Sequence, residues 1–336
     1  MDQLKAFFEK NRTAFFILGG ILLLAMPAIL NTPYLLRIGI MIGIYIVLAS
    51  SLNLIIGFTG MFSLAHGAFY GLGAYCSALL AIKFGWSFWI TMPLAGLFAA
   101  MWGTFVGLAT LRLRETFLVF GTMAFGEIVR IVIMNWYSLT RGPMGIPGVP
   151  MPKIFGMPFS NYNYYYYLIL VIAVLTVILI RRLYNSRIGR AFIAIREDET
   201  GAASMGINVF QYKVLAFTLG CFFAGIAGAF YAHFVRYISA DQFGVNESFA
   251  ILTMVALGGT GSIAGPIVGA CILMIFPEVF RFLAEYRMVL YGLILVLIMM
   301  FKPEGIAGFK GMFPRDFELT DVIKEKLTGK KQEAAK

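Results

Sequence analysis

Charge is what this sequence has least of. Asp, Glu, Lys and Arg make up 13% of its 336 residues, against 60% hydrophobic ones. A soluble domain of that composition would expose apolar patches large enough to aggregate. Histidine occurs only at His66 and His233, far apart in the chain, so no metal-binding cluster is visible. Cys76, Cys221 and Cys271 all fall in apolar runs at no metal-ligand spacing. They read as small hydrophobes, not as a disulfide or a zinc site. There is no Gly-x-x-x-x-Gly-Lys-Ser/Thr phosphate loop, which excludes ATP hydrolysis of that kind. There is also no Arg-rich repeating helix that would sense voltage. No catalytic residue, metal or cofactor is expected.

What the sequence does have is lipid-compatible helix. A helix needs about 20 apolar residues to cross a bilayer. Ten stretches qualify, roughly 14–31, 35–56, 60–82, 87–110, 116–137, 163–181, 210–235, 247–261, 264–283 and 287–301. The eighth is short and Gly-rich. The expected fold is an all-α polytopic membrane protein, a bundle of about ten transmembrane helices with Gly-rich broken segments. Its first basic-then-apolar stretch resembles a signal peptide, but the run is long and more spans follow, which favours an uncleaved span.

The formal charge of +10 is unevenly placed. With the N-terminus inside, only Arg37, Lys83, Arg141, Lys153, Arg236, Arg281 and Arg287 reach the outer face, and Arg130 lies within a span. The other basic residues are cytoplasmic. This is the positive-inside pattern, and it sets both termini in the cytoplasm. It argues for a lipid bilayer as partner and against nucleic acid. Residues 1–310 read as a transmembrane domain and 311–336 as a charged cytoplasmic tail.

Two loops stand out. Residues 138–162 carry Pro143, Pro147, Pro150 and Pro152 among glycines, which forbids regular helix. They lead into Tyr162 and Tyr164 to Tyr167, read as an interfacial aromatic belt. Residues 182–209 form a cytoplasmic loop. Within it Ala191 to Met205 has helical character, with Phe192, Ile195, Glu199, Ala202, Ala203 and Gly206 recurring at threes and fours.

Gly-Phe-Thr-Gly at 57–60 and Gly-Gly-Thr-Gly at 258–261 echo one another. Each ends a hydrophobic run, and such echoes occur in transporters built from two related halves. Near the first lie Asn53, Thr59, Ser63 and His66. His66 reads either as a titrating switch or as a neutral hydrogen-bonding residue between helices. Glu127 and Arg130, three apart, share a helix face. They read either as a pair lining a pathway or as an ion pair that fixes helix register. Glu278 and Arg281 are spaced to pair in the same way.

The run Ser51-Leu52-Asn53-Leu54-Ile55-Ile56-Gly57-Phe58-Thr59-Gly60-Met61-Phe62-Ser63-Leu64-Ala65-His66-Gly67 resembles a signature of permease subunits in branched-chain amino acid ATP-binding-cassette (ABC) importers. So do Ile188-Gly189-Arg190-Ala191 through Gly206-Ile207-Asn208, and Ala256-Leu257-Gly258-Gly259-Thr260-Gly261 through Gly269-Ala270. The resemblance covers 35–310. It implies a multi-pass subunit of the bacterial inner membrane. It also implies a second homologous permease, two cytoplasmic ATPase subunits and a periplasmic substrate-binding protein. The ATPase-coupling helix would then fall on 191–206, with Arg196, Glu199, Ala202, Ala203, Met205 and Gly206 in contact. The Glu-Ala-Ala motif of ABC importers is matched loosely here, by Thr200-Gly201-Ala202. Asn53, Thr59, Ser63, His66, Glu127 and Arg130 are candidates for the translocation pathway. Urea, short amides and other small carboxylates are alternative cargoes of the same assembly. An ion-coupled secondary transporter is the alternative from another class, but it would need intramembrane carboxylates, and Glu127 is the clearest one present.

Overall fold

A computed structural model describes residues 27, 32–110, 115–154 and 157–279, with isolated positions between 289 and 306. Apart from isolated positions, the expected first and last spans lie outside the described residues, as does the tail 311–336. The described helices are α1 (Pro33–Thr59), α2 (His66–Lys83), α3 (Phe88–Thr110), α4 (Glu115–Asn135), α5 (Tyr137–Thr140) and α6 (Tyr162–Tyr184), followed by α7 (Arg187–Glu197), α8 (Glu199–Ser204), α9 (Val209–Val235), α10 (Val245–Gly258) and α11 (Gly265–Val279). Four two-residue strands make two minimal antiparallel pairs. Each of the eight inner spans read from the sequence overlaps one long helix.

Five of these helices are long and apolar enough to cross a membrane: α1, α3, the Phe117–Asn135 part of α4, α6 and α9. The shorter Gly265–Phe276 part of α11 is apolar too. α2 is less apolar because of its glycines, serine and tyrosines. Most of it is buried among other helices, so it needs no lipid-compatible surface. The chain is an all-α polytopic membrane protein.

Packing is arranged around two helices. α9 packs against α3, α2 and α1, and α1 packs in turn against α6, α11 and α10. From Val47 to Thr59, α1 is buried on every side. Pro33 starts it in the first turn, where the missing N–H costs nothing. Gly60 stops it in the left-handed conformation, φ 75°. α4 differs. It buries Leu118, Thr122, Gly126 and Ile133, packs Phe125, Val129 and Met134 partly against the core, and leaves much of its other side exposed.

Residues 60–65 are not helical, so α2 begins later than the hydrophobic run implies. Irregular backbone at membrane depth persists only where protein satisfies its polar groups. Hydroxyls do so here. Leu64 N donates to Thr122 Oγ1 at 3.1 Å, Ala65 N to Ser63 Oγ at 3.4 Å, and Gly67 N to Ser248 Oγ at 2.9 Å. The break thereby ties α2 to both α4 and α10.

At the opposite end of the bundle the Pro-rich connection lies over α9. Ile146 and Pro147 pair with Ile238 and Tyr237. His233 Nδ1–H donates to Pro150 O at 2.7 Å, and its Nε2 meets Ser77 Oγ at 2.9 Å. The tyrosine run divides: Tyr162, Tyr164 and Tyr167 are exposed, whereas Tyr165 and Tyr166 are buried in the bundle. Arg281, the expected partner of Glu278, lies outside the described residues.

Candidate functional site

The 182–209 loop is built from two helices. The expected single helix from Ala191 to Met205 is interrupted at Asp198, which is extended at φ −157°, ψ 113° and serves as C-cap of α7 and N-cap of α8. The cause is local. Asp198 Oδ1 accepts from Thr200 N at 2.9 Å and from Thr200 Oγ1 at 2.7 Å, bonds that compete with helix continuation. The Thr200 hydroxyl, with the Gly201 and Thr200 amides, holds this carboxyl below the usual carboxylate range. Ser186 caps α7 by accepting from Gly189 N at 3.3 Å.

α7 buries Ala191, Phe192 and Ile195 against the bundle. Phe192 meets the Tyr212 ring edge-on, at 6.2 Å between centroids. Glu199 forms an ion pair with Lys213 of α9. Ala202 is buried, while Ala203, Met205 and Gly206 face outward. Met205 is 84% exposed. An unbranched apolar side chain held out on a braced loop is suited to an apolar pocket on another protein.

Arg196 turns the other way. Its Nη1 donates to Gly57 O at 2.7 Å. This brings the loop onto the two glycine turns, which themselves lie together. Asn53, 1% exposed, joins them: its Nδ2 donates to Ser262 O at 2.8 Å and its Oδ1 accepts from Gly261 N at 2.9 Å. The approach requires glycine on both sides. A Cβ on Gly57 would collide with Asn53 Oδ1 and sit 2.5 Å from Gly261 N, and one on Gly261 would collide with Arg196 Nη1. The short sequence echo is therefore a spatial contact. Ile306 N donates to Leu257 O at 2.9 Å, so the chain returns to this junction after its last expected span.

The remaining residues singled out from the sequence separate into two groups. Thr59, Ser63 and His66 are buried like Asn53. Thr59 Oγ1 donates to Ile55 O at 2.6 Å. Ser51 Oγ donates to Leu48 O at 2.8 Å and so takes the His66 Nε2–H at 2.7 Å, joining α1 to α2. Glu127 and Arg130 lie on the open side of α4 beside the start of α2, with side chains 39% and 28% exposed; a Cβ on Gly126 would be 3.8 Å from Ala65 Cα, and one on Gly244 3.5 Å from Arg130 Cδ. They pair through Nη2 at 2.5 Å and Nε at 2.9 Å to Glu127 Oε1. Arg130 Nη1 also reaches Asp241 Oδ1 at 3.1 Å, in the Ala240–Phe243 turn between α9 and α10. Asp241 had no local signal in the sequence, because its partner is 111 positions away. Among the described residues no group of His, Cys, Asp and Glu is arranged to hold a metal.

Comparison with known proteins identifies the architecture. Residues 34–299 match the family described as branched-chain amino acid transport system / permease component. The high-affinity branched-chain amino acid transport system permease protein LivM of Escherichia coli K12 is 37% identical over 286 residues, 78% of this chain and 67% of that protein. The corresponding LivH of Salmonella typhimurium is 27% identical over 287 residues, 79% of this chain and 91% of its own. A probable LivM of Methanocaldococcus jannaschii is 24% identical over 255 residues, 70% of this chain and 71% of its own. No solved structure matches the chain.

Proposed function

The chain belongs to the branched-chain amino acid transport permease family, and from that premise we propose that it is the LivM-type membrane subunit of an ABC importer for branched-chain amino acids. It has about ten spans and two cytoplasmic termini in the bacterial inner membrane. A LivH-type permease pairs with it, two ATPases dock below, and a periplasmic binding protein delivers the amino acid. ATP is hydrolysed by the partner subunits. Residues 1–310 form the permease domain and 311–336 a cytoplasmic tail.

The observation that carries this reading is the 182–209 loop. It is capped at both helix starts, pinned by Glu199–Lys213, and presents Met205 to solvent. Ala203, Met205 and Gly206 are the surface that meets the ATPase. Glu199 and Ala202 hold the loop in place behind it, while Arg196 ties it to the first glycine turn. The pathway runs along the open side of α4, past Glu127 and Arg130, toward the junction at Asn53, Thr59, Ser63 and His66. ATP-driven changes in the partner shift the bundle between two states because the loop is contacted differently in each.

Met205→Arg tests the docking surface. Gly206 is a poorer target, since at φ +82° any side chain strains the backbone. Placing a guanidinium where an apolar pocket closes should cut ATPase co-purification and ATP-driven leucine uptake at least tenfold, while the chain still inserts and stays monodisperse in mild detergent. Uptake unchanged by Met205→Arg would overturn the docking assignment. Uptake of leucine by the chain alone, without ATP, would overturn the ABC reading.

A further inference from the structure

We propose that Arg196 is the positioning residue through which the docking loop moves the membrane domain, with Asn53 as its counterpart inside the bundle. This inference rests on the docking reading above. Arg196 comes from the last turn of α7, on the loop, yet its guanidinium bonds the Gly57 carbonyl in the final turn of α1. Its stem lies against Gly60, where a Cβ would be 3.6 Å from Arg196 Cγ. Asn53, one turn before Gly57, carries the connection across to Gly261 and Ser262, which link α10 to α11. One side chain from the loop thus bears on the ends of three membrane helices.

The contact has little slack. Hydrogen bonds of this kind span about 2.7–3.2 Å. A Cβ on Gly57 would sit 2.5 Å from Gly261 N, and one on Gly261 would sit 3.0 Å from Gly57 O. A displacement of α7 that outruns the reach of the Arg196 side chain therefore pulls on the first glycine turn, which the close Gly57–Gly261 approach and Asn53 join to the second. α8, by contrast, is fastened to α9 by Glu199 and Lys213, at a point remote in sequence from either turn. Docking and transmission are assigned to different residues of one loop, Met205 to the first and Arg196 to the second.

The test uses the whole transporter, with both permeases, the ATPases and the binding protein, reconstituted in vesicles and fed radiolabelled leucine. Arg196→Ala should keep the ATPases bound and hydrolysing ATP, while leucine moved per ATP falls at least tenfold. Arg196→Lys, which retains one donor for Gly57 O, should restore part of that ratio. Adding Asn53→Ala to Arg196→Ala should lower the ratio no further, because both act on one connection. A wild-type ratio in Arg196→Ala would overturn the relay while leaving the docking reading intact, and full additivity of the two substitutions would overturn it as well. Absence of ATPases from the wild-type preparation would instead refute the docking reading on which the relay rests. If Arg196→Ala does not fold, the Arg196→Lys ratio decides: the wild-type value sinks the relay, and an intermediate value supports it.

Discussion

Asn53 is a small buried residue asked to satisfy two backbone groups of a half-buried turn. Its amide meets Ser262 O and Gly261 N, each with good geometry, and the side chain is almost wholly enclosed. A buried polar group left bare costs about 1–3 kcal/mol, more than the bond itself contributes. Asn53→Ala should therefore lower the thermal unfolding midpoint of the detergent-solubilised protein. Asn53→Asp should be no better, since a carboxylate still accepts from Gly261 N but faces the Ser262 carbonyl without a proton to give. A melting curve for Asn53→Asp that overlays the wild type would remove the Ser262 bond from the account. Arg196 and Met205 make the complementary point. They sit nine positions apart on one loop, one donating into the bundle and the other projecting from it. Their residue types alone did not separate those roles.

The elements show which signals travel in one dimension. The inner spans were legible because a helix in lipid must be apolar over its whole length, and that requirement is written locally. The start of α2 was not, because residues 60–65 are as apolar as their neighbours. What breaks the helix there is a set of hydroxyls, two of them from distant elements, Thr122 and Ser248. The contact of Gly57 with Gly261 was present only as an echo of four letters, since its partners lie some 200 positions apart. The split of α7 from α8 had a local signal, Asp followed two residues later by Thr, which the three-and-four spacing of apolar residues outweighed. It leads to a prediction at this scale. Asp198→Ala removes the acceptor that starts α8, so amide hydrogen exchange over 199–205 should speed up while α9 is unaffected. The same cap should fail in acid. Its carboxyl is held below the ordinary value of 3.8, so the stabilisation is complete above that value and is lost as pH falls through the lower, folded one. Exchange over 199–205 that stays flat as pH is lowered past the carboxylate range, after correction for the intrinsic rate, would refute the cap.

On the scale of the whole molecule, the surface of the bundle is not uniform. α6 exposes Val171, Val174, Leu175, Ile178 and Leu179, a face that suits hydrocarbon. α4 exposes Phe120, Met123 and Ile131, but the same side carries Glu127 and Arg130, tied to Asp241. A charged residue facing lipid near the bilayer centre costs about 2.5–3.5 kcal/mol on insertion scales, and such residues nearly always face protein or water. On the proposed function, the open side of α4 meets the second permease across a hydrated pathway, and the side of α6 meets lipid. Single cysteines distinguish the two, in a background with Cys76, Cys221 and Cys271 replaced. Cysteine at Met123 or Ile131 should react with a water-soluble thiol reagent at least tenfold faster than cysteine at Val174 or Ile178, and should cross-link to the partner permease in the assembled importer. Saturating leucine with the binding protein should slow the reaction on α4 and leave that on α6 unchanged, because substrate and reagent compete for one passage. Equal labelling of the two helices would place α4 in lipid and leave Glu127 and Arg130 as a register-fixing pair, since a lipid-facing ion pair can hold a helix in place but cannot line a path for an amino acid.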